Sequence, residues 1–232
     1  MKKTITFLLI SITLLIVTNC FAYQVNSNNK YFIDKDLLKQ ISANIPNYTK
    51  IDNIPRDLKN AVVAVEDKRF FNHPGFDIIA IGRSIIIDIK EGKFKAGGST
   101  ITQQLAKNLF LSNEKKLNRK IKELILAIKL EQKYSKEEIL EMYLNVIYYG
   151  SGAYGIQNAS QEYFDKNVWE LSLEECAMLA GLPQAPSAYN PKKHFERAKK
   201  RQKVVLSRMA KNGFINEEIE EKTQKQVILL AQ

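Results

Sequence analysis

Between Lys3 and Lys30 no residue carries a charge, and the stretch is centred on the apolar run FLLISITLLIV. About 20 apolar residues cross a bilayer core, so this segment commits the chain to a membrane before any domain is considered. Lys2 and Lys3 ahead of it stay cytoplasmic by the positive-inside rule, which makes residues 1–23 a retained anchor. A cleaved signal peptide is the alternative, with Cys20-Phe21-Ala22 as its cleavage site. A lipoprotein signal fits less well, because Asn19 stands where a small residue should precede the cysteine. Each reading puts the rest of the chain outside the cytoplasm, and a nucleic-acid partner is therefore not expected. The net charge of +10 instead points toward anionic lipid or phosphorylated substrate.

The remainder has the makings of one globular domain. In the 232 residues, 45% are hydrophobic and 26% charged, a balance that builds a core and excludes disorder over most of the length. Two cysteines, Cys20 and Cys176, make neither a disulfide framework nor a four-ligand zinc site. Residues 24–54 are polar and turn-rich and read as a linker, leaving 55–232 as the folded domain. Leu58, Ala61, Val62 and Val65 follow helical spacing up to Glu66-Asp67-Lys68-Arg69. A second helix is predicted from Phe76 to Lys90, apolar nearly all round and hence buried or in contact with lipid. Glu91 to Gly98 reads as a mobile loop. Ile121, Leu124, Ile125 and Ile128 form a helical stripe, and Ser135 to Glu138 and Ser172 to Glu175 are capping boxes opening two more helices, the latter closed by Gly181. No strand pattern of comparable strength occurs, so the class is mainly α.

Three groups of residues could carry chemistry. Glu66 and Asp67 end an apolar helix just before the turn His73-Pro74-Gly75, which leaves a carboxylate on the lip of a cavity. A half-buried Glu is a stronger base toward an alcohol than a solvated one; an ordinary solvated helix end is the competing reading. Glu123 shares a helix face with Ala127 and Leu130 and is flanked by cations, so it either binds charge or pairs with Arg119 one turn away. Gly97 to Asn108 feeds a glycine pair into a helix start rich in hydroxyls and amides, suited to a phosphate or sugar, although a plain capped helix explains it equally. Lys90, Lys93, Lys95, Lys107, Lys115, Lys116, Arg119, Lys120 and Lys122 surround these groups. Outside the cytoplasm and beside a membrane, such a cluster suits a pyrophosphate carried on a lipid.

Together the blocks resemble the peptidoglycan glycosyltransferases of glycosyltransferase family 51. The family's E-D-x-x-F-x-x-H-x-G is Glu66, Asp67, Phe70, His73 and Gly75; its G-G-S-T-I-T-Q-Q is Gly97 to Gln104; its R-K-x-x-E is Arg119, Lys120 and Glu123. Glu138 to Asn145 with Tyr149 to Ile156 resembles its fourth block, and Leu171 to Pro191 its fifth. Five ordered blocks are far more specific than any one motif.

The resemblance implies a lysozyme-like larger lobe and a smaller jaw lobe, formed in part by Phe76 to Ile89, that dips into the membrane. It implies polymerisation of lipid II, with the growing glycan on its lipid pyrophosphate as donor. Glu66 would be the general base on the acceptor's GlcNAc 4-hydroxyl, and Glu123 would orient donor and cations or hold a divalent metal, Mg or Mn. Lys107, Lys115, Arg119 and Lys122 would hold the pyrophosphate, Ser99, Gln103 and Gln104 would line the sugar sites, and Asp67, Phe70, His73, Thr100 and Lys120 complete the expected substrate-binding set. Membrane lipids and elongation or division proteins are the partners it implies. Lys115 and Lys116 stand where some members carry Arg, and Lys cannot make the bidentate phosphate contact. Cys176 replaces an ordinary alanine and reads as a small core residue. Ser112 to Lys115 fits S-x-x-K, but no K-T-G follows, so a monofunctional enzyme without transpeptidase activity is expected. A lytic muramidase and an inactive anchored binding module are the competing readings; the cations argue against the first and the two acids against the second.

Overall fold

The computed structural model describes residues 33–91, 97–111 and 116–231. The expected anchor lies outside them, as do Lys93, Lys95 and Lys115; among the described residues no helix is long and apolar enough to cross a membrane. The chain runs through helices α1 (Leu37–Asn44), α2 (Arg56–Glu66), α3 (Ile78–Glu91), α4 (Ile101–Phe110), α5 (Lys116–Glu131) and α6 (Lys136–Val146). A short hairpin of β1 (Tyr148–Gly150) and β2 (Ala153–Tyr154) follows, then α7 (Ile156–Phe164), α8 (Leu173–Gly181), α9 (Phe195–Lys211) and α10 (Glu217–Gln224). The mainly α class therefore holds. The hairpin went unread because two or three residues are too few to set up a period-two pattern.

Two packed layers position everything else. Helix α2 is the hub of one, with α8 and α9 against it; α4 is the hub of the other, between α5 and α6. Leu58, Ala61, Val62 and Val65 are buried as their spacing predicts, and Val63 and Ala64 are buried too, because neighbours cover α2 on more than one side. Each such apolar side chain taken fully out of water is worth roughly 1.5–3 kcal/mol for the larger ones. Cys176 is buried on α8, where burial pushes its thiol far up, in keeping with a core role.

Helix starts follow the polar signals. Ser135 and Glu138 form the reciprocal box at α6, with backbone-to-side-chain bonds of 3.2 and 2.7 Å. Thr100 and Gln103 form another at α4, at 3.1 and 3.0 Å. Helix α3 begins at Ile78 rather than Phe76, because the Asp77 carboxylate accepts the Ala80 N–H at 2.9 Å and so caps the helix there. Its Ile78, Ile79, Ile86, Ile87 and Ile89 are exposed.

The expected linker 24–54 needs correction over its described part. Residues 33–54 contain α1 and a single 3-10 turn, and Ile33, Ile41 and Ile54 are buried in the core. Long-range polar bonds fasten it: Thr49 exchanges two 2.8 Å bonds with the Asn145 side chain, and Glu141 accepts from the Tyr48 hydroxyl and the Ile51 N–H, each at 2.8 Å.

Candidate active site

The last turn of α2 delivers Glu66 and Asp67 to the seam between the two layers, and there their roles divide. Asp67 turns inward. Its carboxylate lies 3.0 Å from His73 Nε2 through both oxygens and accepts the Ile101 N–H at 3.1 Å, at the positive end of α4. The acid thus ties the end of α2 to the start of α4 and to the turn at His73. Gly75 completes that turn at φ +88°, and a Cβ there would meet the Ala127 carbonyl oxygen at 2.9 Å, so only glycine lets the turn lie against α5. The Thr100 hydroxyl donates to the Gly75 carbonyl at 2.7 Å and binds the same turn to α4.

Glu66 turns the other way, into a cavity of about 650 Å³. Its Oε2 accepts from the Gln104 amide at 2.7 Å, and its Oε1 lies 4.0 Å from the Arg201 guanidinium. Among the described residues Oε1 has no hydrogen bond at normal distance. Burial pushes the Glu66 carboxyl above the ordinary carboxylate range, against the opposing pull of the Gln104 bond and of the Arg201 and Arg208 charges. The result is a carboxylate with one oxygen anchored and the other open, the arrangement a general base needs.

The cavity wall is cationic. Lys68, Arg83, Arg201, Arg208 and Lys211 line it together with Asp77, Ser99, Thr100, Gln104 and Gln184. Arg201 is held in place: its Nε donates to the Gly181 carbonyl at 3.2 Å, and its guanidinium lies 5.7 Å from the Tyr189 ring. A Cβ on Gly181 would meet Arg201 Cγ at 2.8 Å, so this glycine makes room for the arginine stem. Arg208 donates to the Val65 carbonyl at 2.7 Å, one of the carbonyls left free at the end of α2. Asp77 is buried, which opposes its ionisation, but the Arg69 guanidinium at 2.6 Å and the Ala80 N–H outweigh that and hold its carboxyl below the ordinary range.

Of the residues singled out in sequence, Glu66, Asp67, Gly97, Gly98, Ser99, Thr100 and Gln104 line this cavity, whereas among the described residues Phe70, His73, Gln103, Lys107, Arg119, Lys120, Lys122 and Glu123 do not. Phe70 is fully buried, with Lys136 Nζ 4.5 Å from its ring centre, and His73 faces Asp67. Gln103 is buried and spent on the Thr100 cap. Glu123 is 3% exposed on the face it shares with buried Ala127 and Leu130, and it accepts from Arg119 Nε at 3.0 Å and Lys120 Nζ at 2.9 Å. The pairing with Arg119 is therefore present, and Lys120 joins it. Lys120 also donates to the Ser99 hydroxyl at 2.6 Å, which carries the Glu123 cluster to the cavity edge. Lys107 is exposed on α4, and Lys122 does not line the cavity.

Arg201 and Arg208 were missed because the run FERAKKRQKVVLSRMAK reads as a solvated basic helix. A signal existed: Arg201 falls three residues after Ala198 and four before Val205, inside the apolar stripe that includes Leu206 and Met209, all of them buried.

A transglycosylase family model matches residues 34–210. The chain is 55% identical to penicillin-binding protein 1A of Aquifex aeolicus (strain VF5) over 179 residues, covering 77% of this chain and 25% of that relative. Against penicillin-binding protein 1A of Neisseria gonorrhoeae it is 49% identical over 185 residues, 80% of this chain and 23% of the relative. It therefore spans about a quarter of the length of the curated relatives it matches. A crystal structure of penicillin-binding protein 1A from Haemophilus influenzae aligns with 80% of this chain and 18% of its own, at 27% identity and a TM-score of 0.49. Matched from the turn before α1 almost to the end of α9, the chain belongs to the transglycosylase family.

Proposed function

We propose that the domain polymerises peptidoglycan glycan strands from lipid II on the outer face of the cytoplasmic membrane, with Glu66 as the general base. The observation that carries this reading is a buried, anchored carboxylate opening into a cavity walled by five cations. Hydrolysis of a neutral glycoside needs no such wall; departure of a pyrophosphate does.

In the reaction, Oε1 of Glu66 takes the proton of the acceptor's GlcNAc 4-hydroxyl while Gln104 holds Oε2. The oxygen attacks C1 of the donor's MurNAc from the face opposite the leaving group. The bond from C1 to the phosphate oxygen breaks, and the pyrophosphate departs with the electron pair, so an α-linked donor becomes a β-1,4 bond. Arg201, Arg208, Arg83, Lys68 and Lys211 offset the charge that develops on the phosphates. The proton leaves Glu66 to solvent before the next cycle. Of the lysines expected at the pyrophosphate, Lys107 and Lys122 do not line this cavity and Lys115 lies outside the described residues.

In this reading each oxygen of Glu123 is engaged by a cation, Oε1 by Arg119 and Oε2 by Lys120, which supplies the positive charge a divalent ion would bring there. Glu123 instead aligns Arg119 and Lys120, and no step runs through a metal. The exposed isoleucines of α3 support a jaw that touches the bilayer, with the N-terminal anchor holding the domain at the surface where lipid II lies. The lobes would then meet as in a lysozyme-like fold. Incubation of the purified full chain with labelled lipid II in detergent tests the reading. A ladder of glycan chains supports it, while clearing of isolated sacculi without any ladder would replace it with a lytic muramidase.

A further inference from the structure

We propose that Tyr143 is a positioning residue for Glu66, acting through Gln104: its phenol donates to the Gln104 Oε1 and so commits the amide NH₂ to the carboxylate. The inference rests on the reading of Glu66 as the base. Tyr143 sits on α6 with no exposed surface, and its hydroxyl lies 3.3 Å from Gln104 Oε1, while Gln104 Nε2 lies 2.7 Å from Glu66 Oε2. Three helices, α6, α4 and α2, thus contribute one link each to a single chain of hydrogen bonds.

An amide can serve a carboxylate only through its nitrogen, and a half-turn would set Oε1 against the negative charge. The phenol holds the correct orientation by occupying Oε1, and it polarises the amide it donates to, which strengthens the bond to Glu66. Removing the hydroxyl leaves the part-buried Oε1 without this donor and frees the amide to rotate away, so the ionised form of Glu66 loses support. The other groups facing Glu66 are fixed independently: Arg201 on Gly181, Arg208 on Val65, and Asp67 on His73 and Ile101, while Tyr149 places a second buried phenol nearby.

The test compares wild type, Tyr143→Phe, Gln104→Leu and the double variant for kcat/KM on lipid II across pH, with Glu66→Gln as the control. Tyr143→Phe is expected to move the acid limb to higher pH, lowering activity on that limb about three- to tenfold, the worth of a neutral hydrogen bond. Gln104→Leu is expected to move it further, and the double variant no further than Gln104→Leu alone. Carbon-13 NMR titration of the Glu66 carboxyl reads the same displacement without substrate, so a variant too slow to assay still answers. A fall in rate with an unmoved limb and an unmoved carboxyl titration would overturn the proposal, as would additive displacements in the double variant, which would mean Tyr143 bypasses Gln104. Activity persisting in Glu66→Gln would instead remove the underlying assignment of the base.

Discussion

Replacing Asp67 with alanine separates the acid that holds the site together from Glu66, the acid proposed as its base. The side chain is 3% exposed and is the acceptor for two buried donors, His73 Nε2–H and the Ile101 N–H. The proton is assigned to Nε2 because only a donor satisfies a carboxylate at 3.0 Å. Deleting the carboxylate leaves both donors without an acceptor, at about 1–3 kcal/mol each, and opening a buried pair of this kind costs about 3–5 kcal/mol in all. For a domain of this size each kcal/mol moves Tm by about 2–4 °C, so Asp67→Ala should melt about 6–20 °C below wild type. Asp67→Asn keeps one acceptor oxygen and should fall between the two. Thermal unfolding followed by circular dichroism at neutral pH, in the detergent used for assay, reads both. A loss below about 3 °C for the alanine variant would show that these bonds contribute little and that Asp67 belongs with the substrate instead.

Three further outcomes follow from the same geometry. Arg201→Gln removes a positive charge that favours ionised Glu66, so the acid limb of the pH profile should move upward; an unmoved limb would separate Arg201 from the base. Gly181→Ala forces the Arg201 stem away from α8, and a loss of about 1–3 kcal/mol in unfolding experiments is expected, together with a lower kcat; an unchanged melt would mean the Arg201 stem shifts without cost. Glu66 carries a raised pKa, so its ionisation opposes folding: its contribution is most favourable below the unfolded value of about 4.3 and is lost as pH rises through the folded value. Glu66→Gln should therefore melt higher than wild type at neutral pH, with the gain vanishing in acid, and a destabilised Gln variant at neutral pH would contradict the burial argument.

What could be read from sequence divides by the range of the interaction. Glu66 and Asp67 were legible as a pair at a helix end because the periodicity of α2 is local. Their division of labour was not, since it depends on Gln104, His73 and Ile101, brought in from other elements. The segment around Thr49 looked like a linker because its apolar residues are too sparse to set a period; Glu141 and Asn145, 90 and 96 residues from the groups they bind, supply its partners. The basic run on α9 hid two cavity arginines for the opposite reason, since abundant charge masked an apolar stripe that the spacing does contain. The pairing of Glu123 with Arg119 was legible because it depends only on positions one turn apart.

Glycan chains formed from labelled lipid II by wild type and by Glu66→Gln, resolved on one gel at neutral pH, measure the central claim most directly. A positioned base contributes about 10²–10⁴-fold, so wild type should give a ladder and the folded variant only unreacted lipid II over the same interval. A ladder of undiminished intensity from Glu66→Gln would contradict the account, whatever the cations around the cavity bind.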